Sequence, residues 1–63
     1  MVNGKKLRRI RLQQRWGLRA FARQVGITHV SLLRYERGER DPQTSVLRKM
    51  EVVLGLGKGE LIR

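Results

Sequence analysis

The sequence predicts an all-α fold of five short helices within one domain, residues 1–63. Its apolar residues recur three and four positions apart, which is the period of a helix with one buried face. Glycines separate these segments, and glycine suits helix ends because it adopts a left-handed backbone conformation at little cost. No strand of useful length is predicted, since the run Val52-Val53-Leu54 lies inside a helical pattern and has no partner run elsewhere.

The first helix is predicted from Gly4 to Arg15, followed by an exit at Trp16-Gly17. We expect Trp16 to belong to the core, because one aromatic side chain without a stacking platform is weak evidence for nucleic-acid stacking. Lys and Arg side chains surround the inward stripe on both flanks. Some of them must therefore point away from any ligand that is bound on the second and third helices. The inward positions are Leu7, Ile10, Arg11 and Gln14.

A short second helix is predicted to end at Gly26, and a third helix follows after a tight turn, with Thr28 as its cap and Gly38 as its end. A threonine hydroxyl suits this capping position because it accepts a hydrogen bond from a free first-turn amide. The apolar stripe of the second helix consists of Leu18, Phe21, Ala22 and Val25. The third helix has one predicted buried side, Leu32, Tyr35 and Glu36, and one free side, His29, Val30, Leu33, Arg34 and Arg37.

The fourth helix is predicted to begin after Asp41, a candidate cap, with Pro42 in its first turn. Its inward residues would be Leu47, Met50 and Leu54. Three glycines in residues 55–59 weaken any continuation, so we expect a break and then one short apolar turn as the fifth helix.

Chain length and amino-acid composition argue against several classes of function. A chain of 63 residues is near the lower limit for a core without staples, which argues against an enzyme with a cleft. With no cysteine and a single histidine, we expect no disulfide, metal site, cofactor or small-molecule ligand. No apolar run approaches the roughly 20 residues needed to span a bilayer, and no signal peptide is predicted. We therefore expect a soluble cytoplasmic protein.

Positive charge is concentrated in the first half of the chain. Residues 1–35 carry nine Lys or Arg and no acid, whereas residues 36–63 carry six bases and five acids. A region of one sign attracts a polyanion, and nucleic acid is favoured because each neutralised phosphate releases a condensed counterion. Charge alone does not distinguish DNA from RNA or lipid. Two short helices around Gly26, the second with one free side, have the helix-turn-helix geometry that reads a major groove.

The same residues resemble the Cro and phage-repressor-like (XRE) helix-turn-helix family. The most specific element is Tyr-Glu-Arg-Gly at residues 35–38, after Gly26-Ile27-Thr28 and four residues before Pro42. Further matching positions are Leu7, Arg11, Trp16, Phe21-Ala22, Leu32, Leu47, Leu54-Gly55 and Leu61. The resemblance implies a five-helix, lambda-repressor-like domain that binds double-stranded DNA with its third helix. It also implies a transcriptional repressor of bacterial or phage type, acting as a dimer on an inverted repeat.

The resemblance assigns base contacts to the third helix, at His29, Val30, Leu33 and Arg34. The alternatives are that His29 and Val30 face solvent, that Leu33 contacts a protein or stays an exposed leucine rather than meeting a thymine methyl, and that Arg34 binds a phosphate rather than guanine. The chain departs from the family at Leu33, where a small or polar residue is common, and at Leu18, which replaces a phosphate-binding glutamine. The expected phosphate contacts are Arg15, Arg19, Ser31, Arg37 and Arg40. Arg11 and Glu36 match a structural ion pair between the first and third helices.

A dimer patch is predicted on the fourth helix and tail, and closing the core is an equal alternative for these residues. They are Val46, Val53, Leu56, Leu61 and Ile62. Two other functions are weighed against operator binding. One is a protein-interaction module such as the antitoxin of a toxin pair, with secondary DNA binding. The other is a cationic membrane-surface or RNA-coating peptide, which would need a long basic amphipathic helix or stacking aromatic residues.

Overall fold

A computed structural model describes all residues 1–63 and confirms the all-α fold, but with four helices. They are α1 (Gly4–Gln13), α2 (Leu18–Val25), α3 (His29–Arg37) and α4 (Thr44–Val53). The predicted fifth helix is wrong, because the C-terminal segment, residues 55–63, forms successive turns. Gly55 and Gly59 both adopt positive φ angles there, which interrupts a right-handed helix. None of the four helices is long and apolar enough to cross a membrane.

Local signals account for most helix ends. Gly26 and Gly38 follow α2 and α3 in the left-handed conformation, with φ angles of 85° and 74°. Thr28 caps α3, since its hydroxyl oxygen accepts a bond from the Ser31 amide at 3.1 Å. The helix α1 ends at Gln13, two residues before the predicted end, because Arg15 has a φ of 63° and cannot continue it.

The predicted start of α4 is wrong. Gln43 occupies the N-cap position and Pro42 lies in the preceding loop, so Asp41 caps no helix. The Asp41 carboxylate instead accepts a hydrogen bond from the Val2 amide at 2.8 Å. A partner 39 residues away in sequence therefore takes the carboxylate that a local pattern assigned to the helix end.

The core draws apolar residues from all four helices and both chain ends. Trp16 packs against it and meets the Phe21 ring edge to face, with ring centroids 5.8 Å apart. Leu18 also packs against the core, which accounts for an apolar residue at that position of α2. The core residues are Val2, Leu7, Phe21, Ala22, Val25, Leu32, Tyr35, Leu47, Met50, Leu54 and Leu61.

The C-terminal segment is attached to the rest of the molecule by hydrogen bonds of its backbone amides. Glu51, buried on α4, accepts hydrogen bonds at one carboxylate oxygen from the amides of Gly59 and Leu61, at 2.8 and 3.2 Å. Ile62 then forms an isolated antiparallel bridge with Val2, so the two chain ends lie side by side. Glu51 also lies 3.7 Å from the Arg48 guanidinium one turn earlier on α4. Sequence patterns gave no indication that Glu51 also binds the C-terminal segment, because its partners there are backbone amides.

The helices α1 and α3 approach closely at two points. At Gly4, a Cβ atom would lie 2.5 Å from the carbonyl oxygens of both Tyr35 and Glu36, so only glycine fits. Two turns further along α1, Arg11 donates to both carboxylate oxygens of Glu36, at 2.6 and 3.1 Å. The Arg11 guanidinium also donates to the Trp16 carbonyl at 2.7 Å. These contacts hold α3 against α1 by its buried side.

We expect Gly4→Ala to lower the free energy of unfolding by about 1–3 kcal/mol, the usual cost of overpacking, because its methyl group would force α1 away from α3. The control is Gly17→Ala, where an added Cβ has no neighbour within 4 Å and the cost should stay below about 1 kcal/mol. Urea denaturation followed by circular dichroism measures both. Equal stabilities of the two variants would contradict the close approach.

We expect Arg11→Met to destabilise the fold by about 3–5 kcal/mol, because it leaves the buried Glu36 carboxylate without its partner. The double variant Arg11→Met/Glu36→Met should recover much of that loss, since it removes both charges. Arg9→Met, on the exposed side of α1, is the control and should change stability by about 0.5 kcal/mol or less. A double variant as unstable as Arg11→Met would argue against an uncompensated charge as the cause.

Candidate nucleic-acid interface

The helices α2 and α3 form the turn on which the site depends. The amides of Gly26 and Ile27 both donate to the Ala22 carbonyl at 2.9 Å, which ends α2 and reverses the chain within a few residues. The helix α2 buries Phe21, Ala22 and Val25 against the core. The following helix, α3, is thereby held with one side in the core and the other side facing outward.

The four predicted base-contact residues all lie where α3 is accessible. Val30 is 47% exposed and Arg34 is exposed, whereas His29 and Leu33 are partly exposed. Leu33 does not belong to the core or to the partly buried residues packed against it. Arg37 continues the exposed side one turn after Arg34. The outward side of α3 therefore combines two apolar side chains, an imidazole and two guanidinium groups.

Hydrogen bonds at the start of α3 leave one donor free. The Thr28 hydroxyl donates to the Ser31 side-chain oxygen at 3.0 Å, while its own oxygen accepts the Ser31 amide. Since the Ser31 oxygen already accepts, the hydroxyl hydrogen of Ser31 can donate to another acceptor. It lies in the first turn of a helix, where the partial positive charge of the helix dipole favours an anion.

A groove between α2 and the start of α3 carries two guanidinium groups, Arg19 and Arg23, one helical turn apart. His29 and Val30 line the same groove, which joins the α2 cations to the outward side of α3. Arg19 was predicted as a phosphate contact and Arg23 was missed. The four-residue spacing of the two arginines was the sequence signal that would have identified Arg23. Arg15 is exposed at the end of α1 and lines none of the grooves found on this surface.

The end of α3 and the loop that follows it contribute further cations. Arg37 and Arg40 are both exposed on either side of Gly38. Arg37 lines a second groove together with Lys5 and Arg63, where the N-terminus of α1 meets the end of α3. The bond from Val2 to Asp41 holds this loop against the chain ends.

Most acidic side chains of this protein have partners within the chain, whereas most basic side chains form no ion pair. Four of the five acidic side chains accept hydrogen bonds within the chain, the exception being Glu39. By contrast, ion pairs involve only Arg11 and Arg48, so 13 of the 15 Lys and Arg side chains form none. The surface around α3 therefore has a strong positive potential that its own acids do not neutralise.

The fold resembles solved structures of transcription regulators. The P22 c2 repressor protein, in complex with synthetic operator 9T, superposes with a TM-score of 0.92 at 22% identity, covering 100% of this chain and 96% of that chain. A chain of the SinR protein/SinI protein complex superposes with a TM-score of 0.87 at 23% identity, covering 95% of this chain and 59% of that chain. The hypothetical transcription factor NHTF from Neisseria gives 0.85 at 25% identity, covering 95% and 69%.

A comparison with curated proteins returned no match. The family model HTH_3, helix-turn-helix, matches residues 7–61, which include all of α2, α3 and α4. That span also contains the residues of the Cro and phage-repressor resemblance from Leu7 to Leu61. The chain belongs to this helix-turn-helix family of DNA-binding transcription regulators.

Proposed function

We propose that the protein recognises a specific operator in double-stranded DNA with α3 and represses transcription by occupying it. The observation that carries this proposal is the arrangement of α3, whose buried side is tied to α1 while His29, Val30, Leu33 and Arg34 face outward. A helix exposed in this way fits a major groove. The P22 c2 repressor, which has the same fold, is itself bound to a synthetic operator.

The chemistry of the four residues suggests what they read. Arg34 can donate two bonds to O6 and N7 of a guanine, the geometry that distinguishes G from other bases. Val30 and Leu33 offer methyl groups but no hydrogen bonds, so they favour the thymine methyl over the bare edge of cytosine. His29 begins the helix and can donate to or accept from a base edge. We expect an operator in which thymines lie beside one guanine.

Phosphate contacts would orient α3 without reading sequence. The side chains that we assign to them are Arg15, Arg19, Ser31, Arg37 and Arg40. The helix α2 adds backbone donors, because Gly17 at its N-cap provides no side-chain bond to the first-turn amides. Free amides at a helix N-terminus bind phosphate well. They compensate for the apolar Leu18, which packs inward.

We also propose that two copies bind half-sites about one helical turn apart, through the α4 and C-terminal side. Of the residues predicted for this patch, Leu61 is excluded, because it is completely buried in the core. Val46, Val53 and Leu56 pack partly against the core, and Ile62 is 48% exposed. Val52, 75% exposed on α4, adds apolar surface that the sequence prediction omitted. The low net charge of residues 36–63 limits repulsion between two copies.

Selection from a random duplex library tests the proposal. The selected sites should contain an inverted repeat with half-site centres about 10 base pairs apart. Titrations at two salt concentrations should then give a preference of at least about 10³-fold over unrelated duplexes, with affinity falling steeply as salt rises. Equal binding to every duplex would contradict operator recognition, and selected sites without symmetry would contradict the dimer. Repression is then measured in cells as the fall in expression of a reporter gene that is placed behind the selected operator.

We expect Val30→Ala and Leu33→Ala each to weaken binding to the selected operator by about 5–150-fold, the loss that follows from about 1–3 kcal/mol per altered base contact. Affinity for unrelated duplexes should hardly change, because phosphate contacts remain. Val52→Ala, which removes the same methyl groups from α4, is the matched control for Val30 in a titration with an operator half-site. An unchanged base preference in both α3 variants, with folding retained, would refute the thymine assignment.

A further inference from the structure

A stripe of cations on α1 lies outside the interface described so far. Lys5, Arg8 and Arg9 are spaced three and four residues apart, so they share the outer side of the helix, and all three are exposed. We call these three residues the α1 stripe. Together with Leu12 and Gln13 they line a groove whose opposite wall includes the edge of Glu36 on α3. The groove therefore opens where α1 crosses the end of the recognition helix.

Nothing within the chain neutralises the α1 stripe. None of its three side chains forms a hydrogen bond or an ion pair. Glu36 is the one acid lining the groove, and both its oxygens already accept bonds from Arg11. The helix α1 itself contains no acid in residues 4–13. Like charges at these spacings repel each other, and an anion from outside the chain would relieve the repulsion.

The α1 stripe is continuous with the outward side of α3. Lys5 lines the groove of the stripe and also the second groove, which contains Arg37 and Gly38. Arg37 in turn follows Arg34 by one turn on the exposed side of α3. A band of positive charge thus runs from α3 around the N-terminal end of α1 and along its outer side.

We propose that the α1 stripe binds phosphates of the duplex that α3 reads, beyond the phosphates held by Arg37 and Arg40. This inference rests on the proposed function. The domain measures 23 × 23 × 19 Å, whereas a B-DNA major groove is about 12 Å wide, so a domain with α3 in the groove must overhang a phosphate strand. Such contacts add affinity and orientation to all sequences alike, because phosphates carry no base information.

The test compares Arg8→Gln/Arg9→Gln with Lys49→Gln/Lys58→Gln. Both pairs remove two exposed charges, but Lys49 and Lys58 line neither groove. Fluorescence anisotropy measures binding to the selected operator and to an unrelated duplex at four salt concentrations. Circular dichroism verifies that each variant unfolds like the unaltered chain.

For Arg8→Gln/Arg9→Gln, the plot of log affinity against log salt concentration should become shallower by about 1.8 for each bound copy, and so by about 3.6 for a dimer on the operator, since each phosphate contact contributes about 0.9. Its affinity should fall by the same factor for both duplexes, so that the preference is retained. Lys49→Gln/Lys58→Gln should keep the original slope. An unchanged slope in the α1 variant, or an equal change in the control, would overturn the inference. A failure of the proposed function gives a different result, because the unaltered chain would then bind the operator and the unrelated duplex equally well.

Discussion

The buried ion pair between Arg11 and Glu36 is the contact on which the rest of the structure depends. One guanidinium donates to both oxygens of the α3 carboxylate and also to the Trp16 carbonyl in the segment that leads into α2. It therefore joins α1, the entry to α2 and the end of α3. Because Gly4 lets α1 reach the backbone of α3 directly, the two helices have little freedom to rotate about this pair. The direction in which α3 presents its free side follows from these contacts.

The use of acidic side chains in internal contacts also determines the charge of the surface. Glu36 and Glu51 connect helices and the C-terminal segment from buried positions, so their negative charges are withdrawn from the surface. Asp41 is exposed, but its carboxylate accepts the Val2 amide. Most basic side chains have no such partner and stay exposed. The positive potential around α3 is thus partly a consequence of how the fold is held together. The acids that stabilise the fold are therefore the same acids whose charges are less available to oppose a polyanion.

Local patterns predicted the helix-turn-helix because its causes are local. The 3.6-residue period of α2, the left-handed glycine at 26 and the Thr28 cap each act within a few residues. Apart from the end of α1, which a positive φ angle at Arg15 shortens, the errors concern residues with partners outside their own turn of the chain. Asp41 looks like a helix cap in sequence but binds Val2. For Leu61 the sequence left a dimer patch and the core as alternatives, and the structure places it in the core. The predicted fifth helix also failed, because Glu51 holds the glycine-rich segment in turns.

The sequence by itself determined the all-α class, the turn between α2 and α3, the family and the set of side chains on the free side of α3. Periodicity, caps and spacing suffice for these features, since each depends on neighbours along the chain. Only the tertiary structure decided that α1 and α3 meet through Gly4, that the chain ends pair, and that the α1 stripe joins the α3 surface. Those features arise from contacts between residues tens of positions apart, whose energies appear only when the helices pack.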